Sequence, residues 1–172
     1  METITTKFEF EDFRSRGEQF FQSLIDALAA LGLPTHLASD HLCFRVATTE
    51  EYQEYKTHLL NHGTLLTEAN VNGRPIATFK LHTPFKTKTH EIPLVELPAP
   101  KPGANYASGF EHAEFIIEES FETFAARFPE VKFEEPTKKT INAEMCLKLE
   151  GKQAKFHHQS LERIIEMEKG ES

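Results

Sequence analysis

Three histidines and one glutamate, His41, His112, His157 and Glu96, are the residues of this sequence best suited to hold a divalent metal ion. Neutral imidazole and carboxylate are ordinary transition-metal ligands. The four fall at matched places in two similar stretches of chain. Asp40-His41-Leu42-Cys43-Phe44-Arg45-Val46 and Glu111-His112-Ala113-Glu114-Phe115-Ile116-Ile117 each read acid, His, two residues, Phe, one residue, β-branched. Further on, Leu94-Val95-Glu96-Leu97-Pro98 parallels Lys155-Phe156-His157-His158-Gln159. His112 follows His41 by 71 residues and His157 follows Glu96 by 61, similar but unequal separations. Pseudo-twofold symmetry between two repeated units would bring all four to the axis between them.

Other polar residues share that face. Glu114 lies two residues after His112 and so points to the same side of a strand. There it suits a general base beside the metal or a group that orients a ligand histidine. Arg45, Arg74, Lys80, Lys148 and Lys155 supply positive charge in an acidic chain, which favours an anionic substrate, and His82 closes a strand on the same polar face. We take Arg45, Arg74, Lys80 and His82 as candidate substrate contacts. The bland alternative is that such cations pair with acids like Glu114 and Glu150 on a face that is simply wet. No single residue argues against that; the set of four does. His158 has the wrong parity relative to His157 and is expected outside the site. His36, His58, His62 and His90 read as surface residues.

Elements must position these groups. Phe13, Phe20, Phe21, Leu24, Ile25, Leu28 and Leu31 recur at helical spacing over 8–31, with a break expected near Gly17. A strand is predicted over 40–46, a helix from Glu50 to about Leu60 behind the capping pair Thr48-Thr49, and strands at 64–70, 75–82 and 91–97. Asn72-Gly73 signals a hairpin. The Pro- and Gly-rich run 98–109 reads as a linker or surface loop. The second half then repeats the first: strand, helix over Phe121–Phe128, further strands, and a terminal helix from Ser160 to about Glu168. Leu42, Phe44, Phe79, Leu81, Val95, Phe115, Ile117, Leu147, Leu149 and Phe156 fall on the apolar strand faces. The expected fold class is α+β: two β-α-β-β-β modules forming a U-shaped, mostly antiparallel mixed sheet. A helical extension (1–36) precedes the first module (37–100), a linker (101–110) and the second module with its C-terminal helix (111–172).

Paired β-α-β-β-β modules with ligands on the first and last strand of each resemble the vicinal oxygen chelate superfamily, which includes glyoxalase I, extradiol dioxygenases and bleomycin resistance proteins. More narrowly, the chain resembles the YecM-like family of bacterial proteins. Asp40-His41, Asn72-Gly73-Arg74-Pro75, Phe79-Lys80-Leu81-His82, Val95-Glu96-Leu97-Pro98, Glu111-His112 and Lys155-Phe156-His157 carry the likeness. The resemblance implies a glyoxalase-like sheet closing around one divalent ion, with His41, Glu96 and His112 at the superfamily's ligand places. The fourth place commonly holds Glu, and here His157 stands for it. A shell of three His and one carboxylate disfavours Mg²⁺ and Ca²⁺ and leaves Zn²⁺, Ni²⁺, Co²⁺, Mn²⁺ and Fe²⁺ open. Two function classes follow: a metal-dependent isomerase, lyase or oxidoreductase on a small oxygen-chelating substrate, or a non-catalytic protein holding a small molecule or metal in the same cup.

The bulk sequence sets the remaining bounds. The 172 residues, 39% hydrophobic and 27% charged, fit one globular domain. A formal net charge of −8 repels phosphate backbones, so nucleic acid is not an expected partner. Cys43 and Cys146 sit in apolar runs as small buried thiols without any CxxC motif, which fits a reducing compartment. The start, Met1-Glu2-Thr3-Ile4, has no signal-peptide pattern, and no apolar run approaches the ~20 residues of a membrane span. A soluble, cytoplasmic monomer or homodimer is expected.

Overall fold

The computed structural model describes residues 8–138 and 142–170. The chain opens with α1 (Phe10–Ala30), β1 (Ser39–Arg45), α2 (Thr49–Leu60), β2 (Gly63–Val71), β3 (Arg74–Lys86) and β4 (Glu91–Pro98). It continues with β5 (Gly109–Ile116), α3 (Phe121–Ala126), β6 (Met145–Leu149), β7 (Lys152–His157) and α4 (Leu161–Gly170).

Local chemistry explains these bounds. Thr48 accepts the Glu51 amide through its side chain at 3.1 Å, and Glu50 and Glu51 complement the first turn of α2. Ser120 caps α3 in the same way. Asn72 and Gly73, at φ 52° and 84°, make the tight turn between β2 and β3 that their sequence signalled. The break expected near Gly17 does not occur, and α1 runs through it. A Cβ at Gly17 would lie 2.4 Å from Phe85 Cε1 and 2.9 Å from Phe110 Cζ. The glycine lets the helix lie close against the sheet, and that packing outweighs its poor helix propensity.

One seven-stranded sheet runs in the order β2-β3-β4-β1-β5-β7-β6. β1 pairs parallel with β4, and β5 parallel with β7; the other neighbours are antiparallel. The two halves meet edge to edge at β1 and β5, so the repeat-related first strands lie at the centre. The predicted apolar faces are buried at Leu42, Phe44, Phe79, Leu81, Val95, Phe115, Ile117, Leu147 and Phe156, where they pack with Phe13, Phe21, Leu24, Tyr52 and Phe124 of the helices. Leu149, at the end of β6, is only partly buried.

The second half departs from the predicted pattern after α3, with two strands among the described residues instead of three. The segment 131–138 still follows β6: the Glu134 amide donates to Cys146 O at 2.8 Å and the Thr137 amide to Glu144 O at 2.9 Å. Pro136 lies between those two bonds and has no N–H to give, so the ladder stays irregular.

A candidate metal centre on the β1–β5 axis

Two bulges build the centre. The pairing of β1 with β5 skips Asp40 on one strand and Glu111 on the other. A bulge residue turns two successive side chains the same way. Asp40 therefore lies beside His41, and Glu111 beside His112, where simple alternation would separate them. Asp40 Oδ2 is 2.9 Å from His41 Nδ1, and Glu111 Oε2 is 3.2 Å from His112 Nδ1. The acid-His dipeptide of each repeat is the sequence trace of this arrangement.

With Nδ1 of each ring given to a carboxylate, Nε2 carries the lone pair. The two Nε2 atoms are buried and neither has a hydrogen-bond partner. They point instead at one place: Glu114 Oε2 is 2.6 Å from His41 Nε2 and 3.4 Å from His112 Nε2. One ligand atom from each of His41, Glu96, His112 and Glu114 lies within 4.8 Å of all the others. Bonds of about 2.1 Å to a central transition metal put its ligand atoms no more than about 4.2 Å apart, so these side chains fit such an ion with small adjustment. Two lone pairs facing a carboxylate inside a protein are repulsive unless a cation or protons sit between them.

The electrostatics agree. Burial disfavours an ionised Glu114, yet His41 and His112 hold its carboxyl well below the ordinary range. Burial likewise disfavours charge on Asp40, but His41 and His157 keep it ionised. The hydrogen bond with His112 brings Glu111 down to about 2. Burial opposes imidazolium at His41 and His112, but Glu114 and Asp40 around the first ring, and Cys43, Glu111 and Glu114 around the second, raise both. Without a metal, protons balance the same negative charge.

His157 lies beside this group and not within it. Its Nε2 is 3.0 Å from Asp40 Oδ1, and its Nδ1 is 3.1 Å from Asn142 Oδ1 and 3.2 Å from Glu114 Oε1. The observed register shows why. β1 sets His41 against Leu94, and β5 sets His112 against Gln153. Glu96, two residues after Leu94, therefore corresponds to Lys155 and not to His157. The sequence pairing of Glu96 with His157 is two residues out of step, a slip that keeps the face but moves one pleat along the strand. Glu114, two residues from His112, is the side chain that comes to the fourth place.

The centre opens into a cavity of about 630 Å³. Arg45, Arg74, Glu96, His112, Glu114 and Lys155 all face it, as does the free thiol of Cys43. Helix α4 covers one side with Leu161, Ile164 and Ile165. Two of the expected substrate contacts are elsewhere. Lys80 is exposed and pairs with Glu162 of α4 at 2.9 Å. His82 lies in a separate surface depression beside Phe10, Glu11 and His62, within the irregular stretch of β3 between Lys80 and Phe85. Lys148 pairs with Glu134 on the outside. His158 packs on Phe121 and reaches Ile117 O at 3.0 Å, as its parity required. His90, expected at the surface, is half-buried and reaches Leu37 O at 2.8 Å. Sequence reading missed Asp40 as the hub of the site: its carboxylate accepts from His41, His157 and, at 2.6 Å, the Leu161 amide that starts α4.

No helix of the described residues is long and apolar enough to cross a membrane. A family model described as YecM protein matches residues 9–168. Protein YecM of Escherichia coli is 33% identical over 120 residues, which are 69% of this chain and 64% of that protein. A Haemophilus influenzae protein is 32% identical over 83 residues, 48% of this chain and 44% of that one. The matched stretches thus span less than two thirds of these curated relatives. Among solved structures, Protein EC4020 shares 28% identity with a TM-score of 0.77, covering 98% of this chain and 97% of its own. A variant methylmalonyl-CoA epimerase of Streptomyces coelicolor, in complex with 2-nitronate-propionyl-CoA, has 15% identity and a TM-score of 0.50 over 73% of this chain and 99% of its own. That likeness is one of fold alone, the glyoxalase-like fold.

Proposed function

This chain belongs to the YecM family, and on that footing we propose that it binds one divalent transition metal and acts as a metal-dependent enzyme on a small, oxygen-chelating, anionic substrate. One observation carries the reading: two buried Nε2 atoms that make no hydrogen bond converge with the carboxylates of Glu96 and Glu114. We assign His41, Glu96, His112 and Glu114 as the ligands. His157 is assigned to hold Glu114 in place. Two nitrogens and two oxygens suit Zn²⁺, Mn²⁺, Fe²⁺, Co²⁺ or Ni²⁺. A bound ion would supply Lewis acidity toward two oxygens of a substrate, the chemistry that isomerase, lyase and oxidoreductase reactions share.

The chain's own groups do the rest. Asp40 and Glu111 fix the tautomer and aim of the ligand imidazoles. Burial works against the Lys155 ammonium, but Glu144, Glu114 and Glu111 outweigh it and raise its pKa. Lys155 therefore stays charged at neutral pH, paired with Glu144 at 3.6 Å, and does not serve to accept a proton. The apolar residues of α4 exclude water from one side of the cavity.

The test is metal analysis of the purified, tag-free protein, with Zn²⁺ and Mn²⁺ titration of the apo form. About one ion per chain, lost in Glu114→Gln and His112→Ala, supports the assignment. Failure to take up any transition metal refutes it. The apolar wall formed by α4 also suits a binding protein without turnover. Incubating the metal-loaded protein with small hydroxy and keto acids, followed by NMR, separates the two: binding without turnover favours the second reading.

A further inference from the structure

The mouth of the cavity collects charge that the metal centre does not use. Arg45 and Arg74 are half-buried and line it, and Lys101 lies at its rim. Among the described residues none of the three has a carboxylate within ion-pair distance, although the chain carries a net −8. Several charged groups deeper in the cavity are already committed, Lys155 to Glu144, Glu111 to His112 and Glu114 to the histidines, and Glu96 is assigned to the metal. An unpaired guanidinium is readily held at a surface, but these two are also fixed in place. The Arg45 guanidinium lies over the Tyr106 ring, 4.5 Å from its centroid, and Nη1 of Arg74 donates to Ala99 O at 2.9 Å. Stacking leaves all five N–H donors of Arg45 free, and a single backbone bond leaves most of those of Arg74. Tyr106 is itself tied back, its hydroxyl accepting from the Lys101 amide at 3.2 Å. Two forks are thus oriented in advance with their donors unspent, which is how a bidentate oxyanion site is built.

Register gives the spacing. Cys43 stands opposite both Glu96 and His112, so these three mark the level of the metal centre. Arg45 is two residues farther along β1, about 7 Å by strand rise. Thr78 stands opposite Glu96, and Arg74 is four residues from Thr78 on β3, about 13 Å. Both arginines lie on the same side of the metal level, toward the mouth.

We propose that the ligand of this cup is an elongated molecule with two anionic parts: an oxygen-chelating head at the metal, and a second oxyanion, carboxylate or phosphate, roughly 7–13 Å away and held by Arg45 and Arg74. This rests on the metal reading above and goes beyond it by fixing the length and the second charge of the substrate. It also gives a role to the loop 98–109, which supplies Tyr106 and Ala99 as supports for the two guanidiniums.

The experiment compares erythronate with 4-phosphoerythronate, which share a hydroxy-carboxylate head and differ in the remote phosphate. Binding is measured calorimetrically on the metal-loaded protein, on Arg45→Gln and on Arg74→Gln, with metal content determined for each. The expected result is at least tenfold tighter binding of the phosphorylated acid, an advantage largely lost in either variant while metal content is unchanged. Equal binding of the two acids, or an advantage that survives both substitutions, overturns the proposal. The metal reading fails separately, through metal content of the unsubstituted protein. If it fails, orthophosphate binding to that protein decides the mouth: dependence on Arg45 and Arg74 supports the oxyanion site, and its absence overturns it.

Discussion

Asp40→Ala tests the reasoning about the centre most sharply, because one carboxylate serves three partners. Asp40 accepts from His41 Nδ1 at 2.9 Å, from His157 Nε2 at 3.0 Å and from the Leu161 amide at 2.6 Å. Removing it strips the support from a ligand histidine, and supports of this kind are worth about 10–100-fold in metal affinity. That is about 1.4–2.8 kcal/mol. It also removes the acceptor of the Leu161 amide at the start of α4, where Ser160 remains as the cap, at a cost of about 1 kcal/mol. Two buried imidazole nitrogens lose their acceptor at about 1–3 kcal/mol each, part of which tautomer change at His157 recovers. A total loss of about 3–5 kcal/mol for the metal-free protein is expected, comparable to breaking a buried pair. For a domain of this length each kcal/mol lowers Tm by about 2–4 °C. The assay is a pair of thermal melts, one in chelator and one in saturating Zn²⁺, with a chelator-competition titration for affinity. The variant should melt lower in both conditions, and the gap between its two melts should shrink, because ligand stabilisation falls by about 1.4 kcal/mol per tenfold loss of affinity. An affinity within threefold of the parent together with an unchanged metal-free Tm would refute the hub. Asp40→Asn keeps the shape and one acceptor, so an intermediate effect is expected.

Four further outcomes follow from the geometry and the electrostatics. His157→Ala should retain metal at about 10–100-fold weaker affinity, whereas Glu114→Gln should lose it under the same dialysis; the reverse order would restore His157 to the ligand set. His158→Ala should leave metal content unchanged, and loss would mean that the wrong strand face had been chosen. Gly17→Ala adds a Cβ 2.4 Å from Phe85 Cε1. Urea unfolding should show a loss of about 1–3 kcal/mol from overpacking despite the better helix propensity, and a midpoint equal to or above the parent's would sink the close-approach account. Burial pushes the Cys146 thiol up to about 11. Its thiolate is scarce at neutral pH and grows as pH rises, so alkylation followed by mass spectrometry should accelerate about tenfold per pH unit between 8 and 10. A rate that levels off below pH 9 would contradict the raised thiol.

Much of this protein was legible in its residues. The period-two alternation of β1, β4, β5 and β7 separated the core face from the polar face, since strand side chains point to opposite sides by geometry alone. The repeat of acid-His marked the two central strands, and Asn72-Gly73 and Thr48 placed a turn and a cap, because those conformations depend on a few neighbouring residues. Local pattern gives parity but not register. A shift of two residues preserves every face, so the sequence had no means to distinguish Lys155 from His157 as the partner of Glu96. Only the ladder of hydrogen bonds between β5 and β7 settled their correspondence. Bulges are equally silent in the chain, because they appear only as a mismatch between two paired strands. They set Asp40 beside His41 and Glu111 beside His112. Gly17 reads as a helix breaker until Phe85 and Phe110, distant in sequence, are seen against it. Lys80 and His82 have the right character for the cup, yet Glu162 of α4 takes the first and the β3 irregularity carries off the second. The sequence by itself determined which residue types line the cup and which face of each strand bears them, through the pitch of the strand. The tertiary structure decided which of them meet, because meeting depends on register, bulges and packing between segments far apart in the chain.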